Sequence, residues 1–347
     1  MDNKLLTVVV PTYNMEKLLS RCLNSLLLSP ETMKLYEVII VIDGGSDASS
    51  DIAHSYSNRC PDTFIVIDKE NGNYGSCVNA GLAVARGTYF RILDADDEFD
   101  RDAFFKFIET IRGLEQEVDM LMTNYKVIYD NTDRVRSLRC NFDYGKIVSF
   151  HSLDFLTSGN AMMVVMHTIS YRTSLLKGMG YKQQTGISYT DTEFVFIPMI
   201  CVNTILLIDI CLYSYHMGRE GQTVTMNPSR MRTEQYYKVA NRLLELYVEH
   251  YNAVNPSVRH TQSCCLKNVI SSYFLYSLLY LPKEQNTEGK LRGIKSRILS
   301  VDKNFWTYLS SVKKSRVKYI QLWERHGIYL SENWLFRLLF KIYRLFK

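Results

Sequence analysis

The stretch Gly87-Thr88-Tyr89-Phe90-Arg91-Ile92-Leu93-Asp94-Ala95-Asp96-Asp97-Glu98-Phe99 changes character halfway along. Tyr89 to Leu93 is a short aromatic and aliphatic run that reads as a buried strand. At Asp94, Asp96 and Asp97 the apolar run gives way to three carboxylates. Packed that closely, they repel one another unless something positive sits among them. A hard divalent cation held by oxygen ligands, with phosphate oxygens completing its shell, is the usual answer. The carboxyl ends of strands in open α/β sheets are also where ligands bind. A solvated acidic turn capping the next helix is the plainer alternative, and the surrounding chain decides between them.

Upstream, Leu5 to Val10 reads as a strand closed by Pro11-Thr12-Tyr13, with Asn14 as N-cap of a helix carrying Leu18, Cys22, Leu23 and Leu26 at helical spacing. Tyr36 to Ile42 is a second strand, ending at Asp43-Gly44-Gly45, where two glycines permit a tight turn and close approach of a ligand to backbone. A helix over 49–57, a strand over 64–67, a loop at Asn71-Gly72-Asn73-Tyr74-Gly75 and a helix through Val78, Leu82 and Ala85 lead into the opening stretch. Strands alternating with helices imply a doubly wound, mostly parallel sheet. Its polar strand ends, Thr12-Tyr13, Asp43 and Asp94-Ala95-Asp96, would line one edge and suit a nucleotide. No G-x-x-x-x-G-K-[ST] and no G-x-G-x-x-G lies between strand and helix, so phosphate handling falls to a metal.

Downstream, Arg101 to Arg112 reads as a helix, Val118 to Thr123 as a strand and Tyr125 to Val148 as a polar excursion. Gly186 to Phe194 opens an apolar helix through Ile200; Thr190 and Glu193 fit a capping box, and a carboxylate in that first turn lies near the positive helix end. Two short strands, 204–208 and 211–215, precede a glycine-flanked turn, His216-Met217-Gly218-Arg219-Glu220-Gly221-Gln222. From Ser229 on, amphipathic helices over 231–251, 264–281, 291–299 and 312–326 form an appendage, with Pro256 and Pro282 as breaks.

The chain has 347 residues, 46% hydrophobic and 22% charged, an ordinary globular composition at a length that suits one core domain plus an appendage. Its eight cysteines are scattered without a C-x-x-C pair, which excludes a zinc knuckle and suggests a reducing, cytoplasmic compartment. The apolar runs are too short for a signal segment or a spanning helix. The net charge of +5 hides an asymmetry: residues 289–347 carry fourteen Lys or Arg against three acids, and the rest of the chain is mildly acidic. That argues against nucleic acid as a partner and for a local anionic one. Residues 334–347 place Arg337, Lys341, Arg344 and Lys347 on one stripe among Trp, Leu, Phe, Ile and Tyr, which suits an anionic membrane surface at the inner face of the plasma membrane. A terminal helix packed on its own domain, or in a homodimer through the C-terminal helices, is the alternative.

Together these segments resemble the family 2 glycosyltransferases of the GT-A fold, over roughly residues 5–222. The motifs are Val8-Val9-Val10-Pro11-Thr12-Tyr13-Asn14, Ile42-Asp43-Gly44-Gly45-Ser46-Asp47, and 71–79 with Gly87 and Asp94-Ala95-Asp96-Asp97. The resemblance implies a GT-A domain over 1–225, with a nucleotide-binding half (1–123) and an acceptor-side half (124–225), followed by a helical region over 229–347. It implies an inverting transferase that moves a sugar from a UDP-sugar to a hydroxyl of a glycan or lipid-linked glycan, with Mn²⁺ or Mg²⁺, in capsule, exopolysaccharide or cell-wall assembly in a bacterium. By the same resemblance Asp191 is the base, Asp43 binds the uracil, and Pro11, Thr12 and Tyr13 line the nucleoside pocket. Asn71, Gly75, Asn79, Ala95, Arg219 and Gln222 join the donor side. Asp96 is the direct metal ligand, with Asp94, a ribose or sugar contact, and His216 as further candidate ligands, and Asp97 in support. Ile42 and Val78 depart from the family pattern, where an acid and an arginine are usual; the second leaves a phosphate contact unfilled. The Gln-x-x-Arg-Trp signature of processive synthases is absent, so addition of a single sugar is expected. A sugar-1-phosphate nucleotidyltransferase, which normally has a Gly-rich loop after its first strand, and a non-catalytic membrane scaffold are the competing readings.

Overall fold

The structure, a computed structural model, describes residues 4–132, 134–141, 143–150, 163–218, 230–281, 283–311, 315–332 and 334. It divides into two compact units, Met1–Thr225 and Met226–Lys347.

The first unit is organised on one ten-stranded sheet. Strands β1 (Leu6–Thr12), β2 (Tyr36–Asp43), β3 (Phe64–Lys69) and β4 (Tyr89–Ile92) run parallel in the spatial order β3-β2-β1-β4. All eight residues of β2 are buried, as befits a parallel strand covered on both faces. Helices α1 (Leu19–Asn24), α2 (Pro30–Met33), α3 (Ser49–Arg59) and α4 (Asn73–Val84) provide the crossovers, and α5 (Arg101–Arg112) and α6 (Thr173–Gly178) follow later in the chain. The direction of winding reverses between β1 and β4, and at such a switch point the carboxyl ends leave a crevice for a ligand. Beyond β4 come β9 (Ile169–Arg172), antiparallel, then β6 (Met120–Tyr129), β10 (Thr204–Met217) and the short β5 (Glu98–Phe99). β7 (Arg134–Leu138) and β8 (Ile147–Ser149) pair antiparallel with β6 and β10. The mostly parallel, doubly wound α/β architecture expected from the alternation is the one observed.

Gly87, at the head of β4, is where backbones meet most closely. A Cβ there would lie 2.4 Å from Leu6 C and Thr7 N. The buried Glu37 carboxylate completes the junction, accepting from Thr7 Oγ1, Arg86 N and Arg86 Nε, each at 2.7 Å. Deeper in the sheet, Arg91 is wholly buried; its guanidinium donates to Ser170 Oγ (3.0 Å), Thr123 Oγ1 (3.1 Å) and the His167 carbonyl.

Several local expectations are corrected. β1 does not stop at Pro11 but continues to Thr12, paired with β2 only. Leu93 N donates to Val9 O, so the odd-numbered residues of β1 face β4; β4 ends at Ile92, and the missing N–H of Pro11 has no strand to serve. Asn14 caps no helix: it has φ +52°, and its Oδ1 accepts from Ser46 N at 3.0 Å, so α1 begins four residues later than an Asn14 cap requires. The two expected strands at 204–208 and 211–215 are one strand, β10, with irregular register between Ile208 and Tyr213. The helix expected through Ile200 ends at Phe196 and passes into a 3₁₀ turn opened by Pro198, whose ring cannot continue the ladder.

The second unit is helical: α8 (Arg230–Glu249), α9 (Pro256–Tyr280), α10 (Gln285–Val301), α11 (Lys303–Ser311) and α12 (Ser315–His326). Aromatic contacts hold it together, with Tyr237 on Tyr273 and Phe274 between Trp306 and Trp323. Pro256 opens α9 instead of breaking it; Asn255 caps the helix by accepting from Ser257 N, and proline at the first position loses no intrahelical bond. Pro282 and residues 335–347 lie outside the described residues, and so does the expected basic terminal helix. Among the described residues no helix is long and apolar enough to cross a membrane.

Candidate active site

At the carboxyl end of β4 the acidic stretch folds into a turn. Asp97 N donates to Asp94 O at 3.0 Å, so the first and last residues of the turn face one another while Ala95 and Asp96 form its corner. Asp97 is fully buried; Tyr213 Oη donates to its Oδ2 at 2.7 Å and His216 N to its Oδ1 at 2.8 Å. Burial, then the charges of Asp96 and Asp94, push its carboxyl well above the ordinary range. Tyr74 Oη donates to Asp94 Oδ1 at 2.7 Å, and Asp94 N donates to Tyr213 Oη at 3.2 Å. The turn is further tied to α1 through Arg21, which donates to the Asp96 carbonyl at 2.6 Å.

His167 closes this cluster. Its ring stacks on Tyr215 (centroids 4.7 Å apart, 24°) and tilts against Tyr213 (4.6 Å) and Tyr125 (5.4 Å). Burial, reinforced by the Arg91 cation, pushes its pKa down to about 3, so the imidazole is neutral. Among the described residues, one ligand atom each from Asp94, Asp97 and His167 lies within 4.8 Å of the others. Two carboxylate oxygens and an imidazole nitrogen at that spacing fit a divalent cation.

Asp43, at the end of β2, is buried. Lys69 Nζ (2.5 Å) and Gly72 N (2.9 Å) donate to its Oδ1, and Asn71 Nδ2 donates to its backbone carbonyl (3.1 Å). Burial raises its pKa, but the bonds from Lys69 and Gly72 outweigh that and hold the carboxyl below the usual range. The segment 71–79 then carries the structure across the crevice. Asn79 Nδ2 donates to Gln183 O (2.9 Å) and Gln183 N returns a bond to Asn79 Oδ1 (2.8 Å), while Gly186 N donates to Gly72 O (2.8 Å). A Cβ on Gly75 would stand 2.1 Å from the Gln184 carbonyl oxygen. Asp191 opens α7 (Asp191–Phe196) on the far side of this junction. It is accessible to solvent yet densely surrounded, and burial of its charge raises its carboxyl above the ordinary range. The phenol of Tyr74 is raised first by burial and then by Asp94, Asp191 and Asp96, which puts Asp191 within electrostatic reach of the acidic turn.

The structure thus brings Asp43, Asp94, Asp96 and Asp191 to one edge of the sheet, with Pro11, Thr12 and the half-exposed Tyr13 at the end of β1 beside them. It departs from expectation in detail. Asn71 and Asn79 bond the protein's own backbone, and Gly75 is a close-packing position, so these three brace the crevice. Ala95 is buried and offers a ligand only backbone. The ligand cluster includes Asp97 and His167, not Asp96 or His216. The reason for Asp96 is the turn, which puts it at the corner. For His216 it is strand parity: Tyr213 and Tyr215 share one face of β10, and His216 points to the other. There its Nδ1 meets Asp130 (2.7 Å) and its Nε2 Glu98 (3.2 Å), and the Glu98 bond raises its pKa. The capping box is not formed either: Glu193 accepts from Gln184 N (2.8 Å) and Nε2 (2.7 Å), and Thr190 Oγ1 donates to Gln183 Oε1. Arg219 and Gln222 lie outside the described residues. Tyr74, His167, Tyr213 and Lys69 belong to none of the motifs read from the sequence; the alternation of Tyr213 and Tyr215 along one strand is a signal that could have pointed to them.

A doubly wound sheet with an acidic, cation-competent turn at its switch point is the architecture of the GT-A fold. The family model for glycosyl transferase family 2 matches residues 7–180, and the chain belongs to that family. Over 220 residues it is 34% identical to the putative glycosyltransferase EpsH of Bacillus subtilis, a match covering 62% of each chain. Over 117 residues it is 32% identical to the poly(ribitol-phosphate) beta-glucosyltransferase of Bacillus spizizenii, covering 33% of this chain and 18% of that one. The chain therefore spans less than two thirds of the curated relatives it matches. Among solved structures, residues 1–349 of S. aureus TarS in complex with UDP-GlcNAc superpose with a TM-score of 0.60 at 18% identity, covering 93% of this chain and 92% of that one. At that identity the likeness shows the fold.

Proposed function

We propose that the chain moves a single sugar from a UDP-sugar to a hydroxyl of a glycan acceptor, carried on a lipid, in the assembly of a bacterial surface polysaccharide, with inversion at the anomeric carbon. The observation that carries this reading is the convergence of Asp43, the Asp94–Asp97 turn and Asp191 around segment 71–79, at the switch point of the sheet. The domain division follows: 1–225 is the catalytic unit and 229–347 an appendage. That TarS was solved with UDP-GlcNAc, and that a relative is a poly(ribitol-phosphate) beta-glucosyltransferase, supports a UDP-sugar donor and a surface-polymer acceptor.

In this reading Asp43 accepts from the uracil, fixed for that task by Lys69 and Gly72, and Pro11, Thr12 and Tyr13 line the nucleoside pocket. The acidic turn opened by Asp94 would hold the cation and face the donor, and Arg219 and Gln222 belong to the donor side. Mn²⁺ or Mg²⁺ held at the turn would neutralise the diphosphate as it departs. Asp191 takes the proton from the acceptor hydroxyl as its oxygen attacks the anomeric carbon, and the bond from that carbon to the β-phosphate oxygen breaks. A raised pKa makes Asp191 a stronger base than an ordinary aspartate, and a positioned base contributes about 10²–10⁴ in rate.

The test is a thermal-shift panel of UDP, GDP and several UDP-sugars with and without Mn²⁺. Ligand at one hundred times its dissociation constant stabilises by about 2.7 kcal/mol, a shift easily read. UDP should raise the melting temperature with Mn²⁺ and much less without it. No metal-assisted response to any uridine nucleotide would sink the reading.

A further inference from the structure

We propose that Arg134 and Arg136, on the outer strand β7, bind the diphosphate through which a lipid carries the acceptor glycan. The inference rests on the reading above and deepens it, naming the anionic group of the acceptor and the residues that take it.

Register places the two arginines. Directly opposed residues of antiparallel strands share a face, and Arg136 stands opposite Val127 on β6 while Arg134 stands opposite Tyr129. On the other side of β6, Tyr213, Tyr215 and Met217 of β10 pair with Tyr125, Val127 and Tyr129. One face of the sheet therefore runs from Tyr213 and Tyr215 through Tyr125 to Arg136 and Arg134. On that face His167 lies against Tyr215, Tyr213 and Tyr125, beside Asp94 and Asp97. Electrostatics follow the same route. Burial and then Asp97, Asp94, Asp96 and Asp191 raise the Tyr215 phenol, while burial raises that of Tyr125 against the opposing Arg136 cation. In the sheet, β6 with its partner β7 lies on the side of β4 away from β1 and β2, hence away from the strand ends that face the nucleoside in this reading.

The arginines are also uncommitted. Both are exposed, and among the described residues neither guanidinium forms an ion pair or a hydrogen bond. Arg134 rests over the Tyr129 ring at 5.7 Å, a contact that orients it and leaves its donors unused. The neighbouring Lys126, Arg139 and Lys146 are each neutralised, by Asp100, Asp209 and Asp143. Charge that merely guarded an edge strand against pairing could point to either face; these two cations share the face that holds the crevice. Residues two apart on a strand are about 7 Å apart, so both forks can reach one diphosphate, and a guanidinium matches phosphate oxygens in pairs. Between them and the acidic turn stand the rings of His167 and Tyr125, an aromatic floor of the kind that takes a sugar. The phosphate and the reacting hydroxyl are then separated by a short glycan.

The experiment titrates the full chain, saturated with UDP and Mn²⁺, with farnesyl diphosphate-linked N-acetylglucosamine and with farnesyl N-acetylglucosaminide, which lacks the diphosphate. Wild type should bind the first much more tightly. Arg134→Gln and Arg136→Gln should each weaken it about tenfold and the double variant about a hundredfold, with melting temperature and UDP affinity unchanged. Arg136→Lys, which keeps the charge and loses the fork, should recover only part. Wild type that binds the two probes equally, or the diphosphate probe not at all, would overturn the assignment, as would unchanged affinity in the double variant. Arginine-dependent binding of a glycerol phosphate oligomer alone would assign the phosphate to a polymer, and lost binding to phosphatidylglycerol vesicles with the probe affinity intact would assign the arginines to the leaflet; either result refutes the proposal. A wild-type chain that binds no UDP with Mn²⁺ fails the donor reading itself, whereas UDP binding with arginine-independent acceptor binding fails this inference alone.

Discussion

Asp191 is the residue on which turnover depends in the proposed mechanism, and its surroundings make two outcomes specific. Asp191→Asn keeps the shape and the helix start but cannot take a proton, so turnover should fall by about 10²–10⁴ with UDP affinity nearly unchanged. Single-turnover kinetics beside UDP titration separate the two; wild-type turnover in the variant would refute the base assignment. The pH dependence has a definite sign. A carboxyl raised by burial stays protonated to higher pH, so the acid limb of kcat/KM should lie above the ordinary aspartate range of about 4. An acid limb at or below that range would assign the base elsewhere. Backbone conformation marks the same region. Asn14, Asn73 and Tyr189 are the non-glycine residues with positive φ among those described, at 52°, 64° and 69°, and they follow β1, open α4 and precede Asp191. For a residue as bulky as Tyr189 that conformation costs of order 1–3 kcal/mol, and such strain gathers at ligand sites.

At the scale of elements, segment 71–79 links the strand ends that the sequence identified to the helix that it could not place. Val8 to Val10, Tyr36 to Ile42 and Tyr89 to Ile92 were legible because a parallel strand covered on both faces is predominantly apolar, with Glu37 and Arg91 the charged exceptions paired inside, and the alternation with helices fixed their order. The aspartates at their ends were legible for the complementary reason, since charge at the end of a buried strand needs an explanation. What stayed hidden depends on tertiary partners: nothing local tells that Asn79 clasps Gln183, that Asn14 reaches Ser46, or that His167 lands beside Asp94. The clasp can be tested. Asn79→Ala removes two hydrogen bonds and leaves the Gln183 backbone partly unsatisfied, a loss of about 1–3 kcal/mol by denaturant unfolding. Gly75→Ala pushes a methyl group against the Gln184 carbonyl, and overpacking of that kind costs about 1–3 kcal/mol. Because both changes loosen α4 from the 183–184 segment that leads into α7, each should also slow turnover more than it weakens UDP binding. Stability and kinetics equal to wild type in both variants would mean the two sides of the crevice are not coupled through this contact.

Across the whole molecule, charge is distributed unevenly. Residues 289–347 carry a net +11 while the remainder carries −6, and 334–347 contain four cations, no acid and a run of large apolar residues. Among the described residues no helix is long and apolar enough to cross a membrane; in the proposed reaction a lipid-linked acceptor is met at the membrane surface. We propose that the basic segment supplies the means for that. Each Lys or Arg near an anionic leaflet contributes about 1 kcal/mol, so four give roughly a thousandfold in partitioning before any apolar insertion. The full chain should therefore co-sediment with vesicles containing phosphatidylglycerol but not with purely zwitterionic ones. Raising the salt should release it, because screening shortens the reach of the surface potential. Deleting 334–347 should abolish sedimentation and leave UDP binding intact, since the proposed donor site lies in the first unit. Equal sedimentation of the truncated chain would assign those residues to packing within the protein, and the acceptor would then have to be delivered by another route.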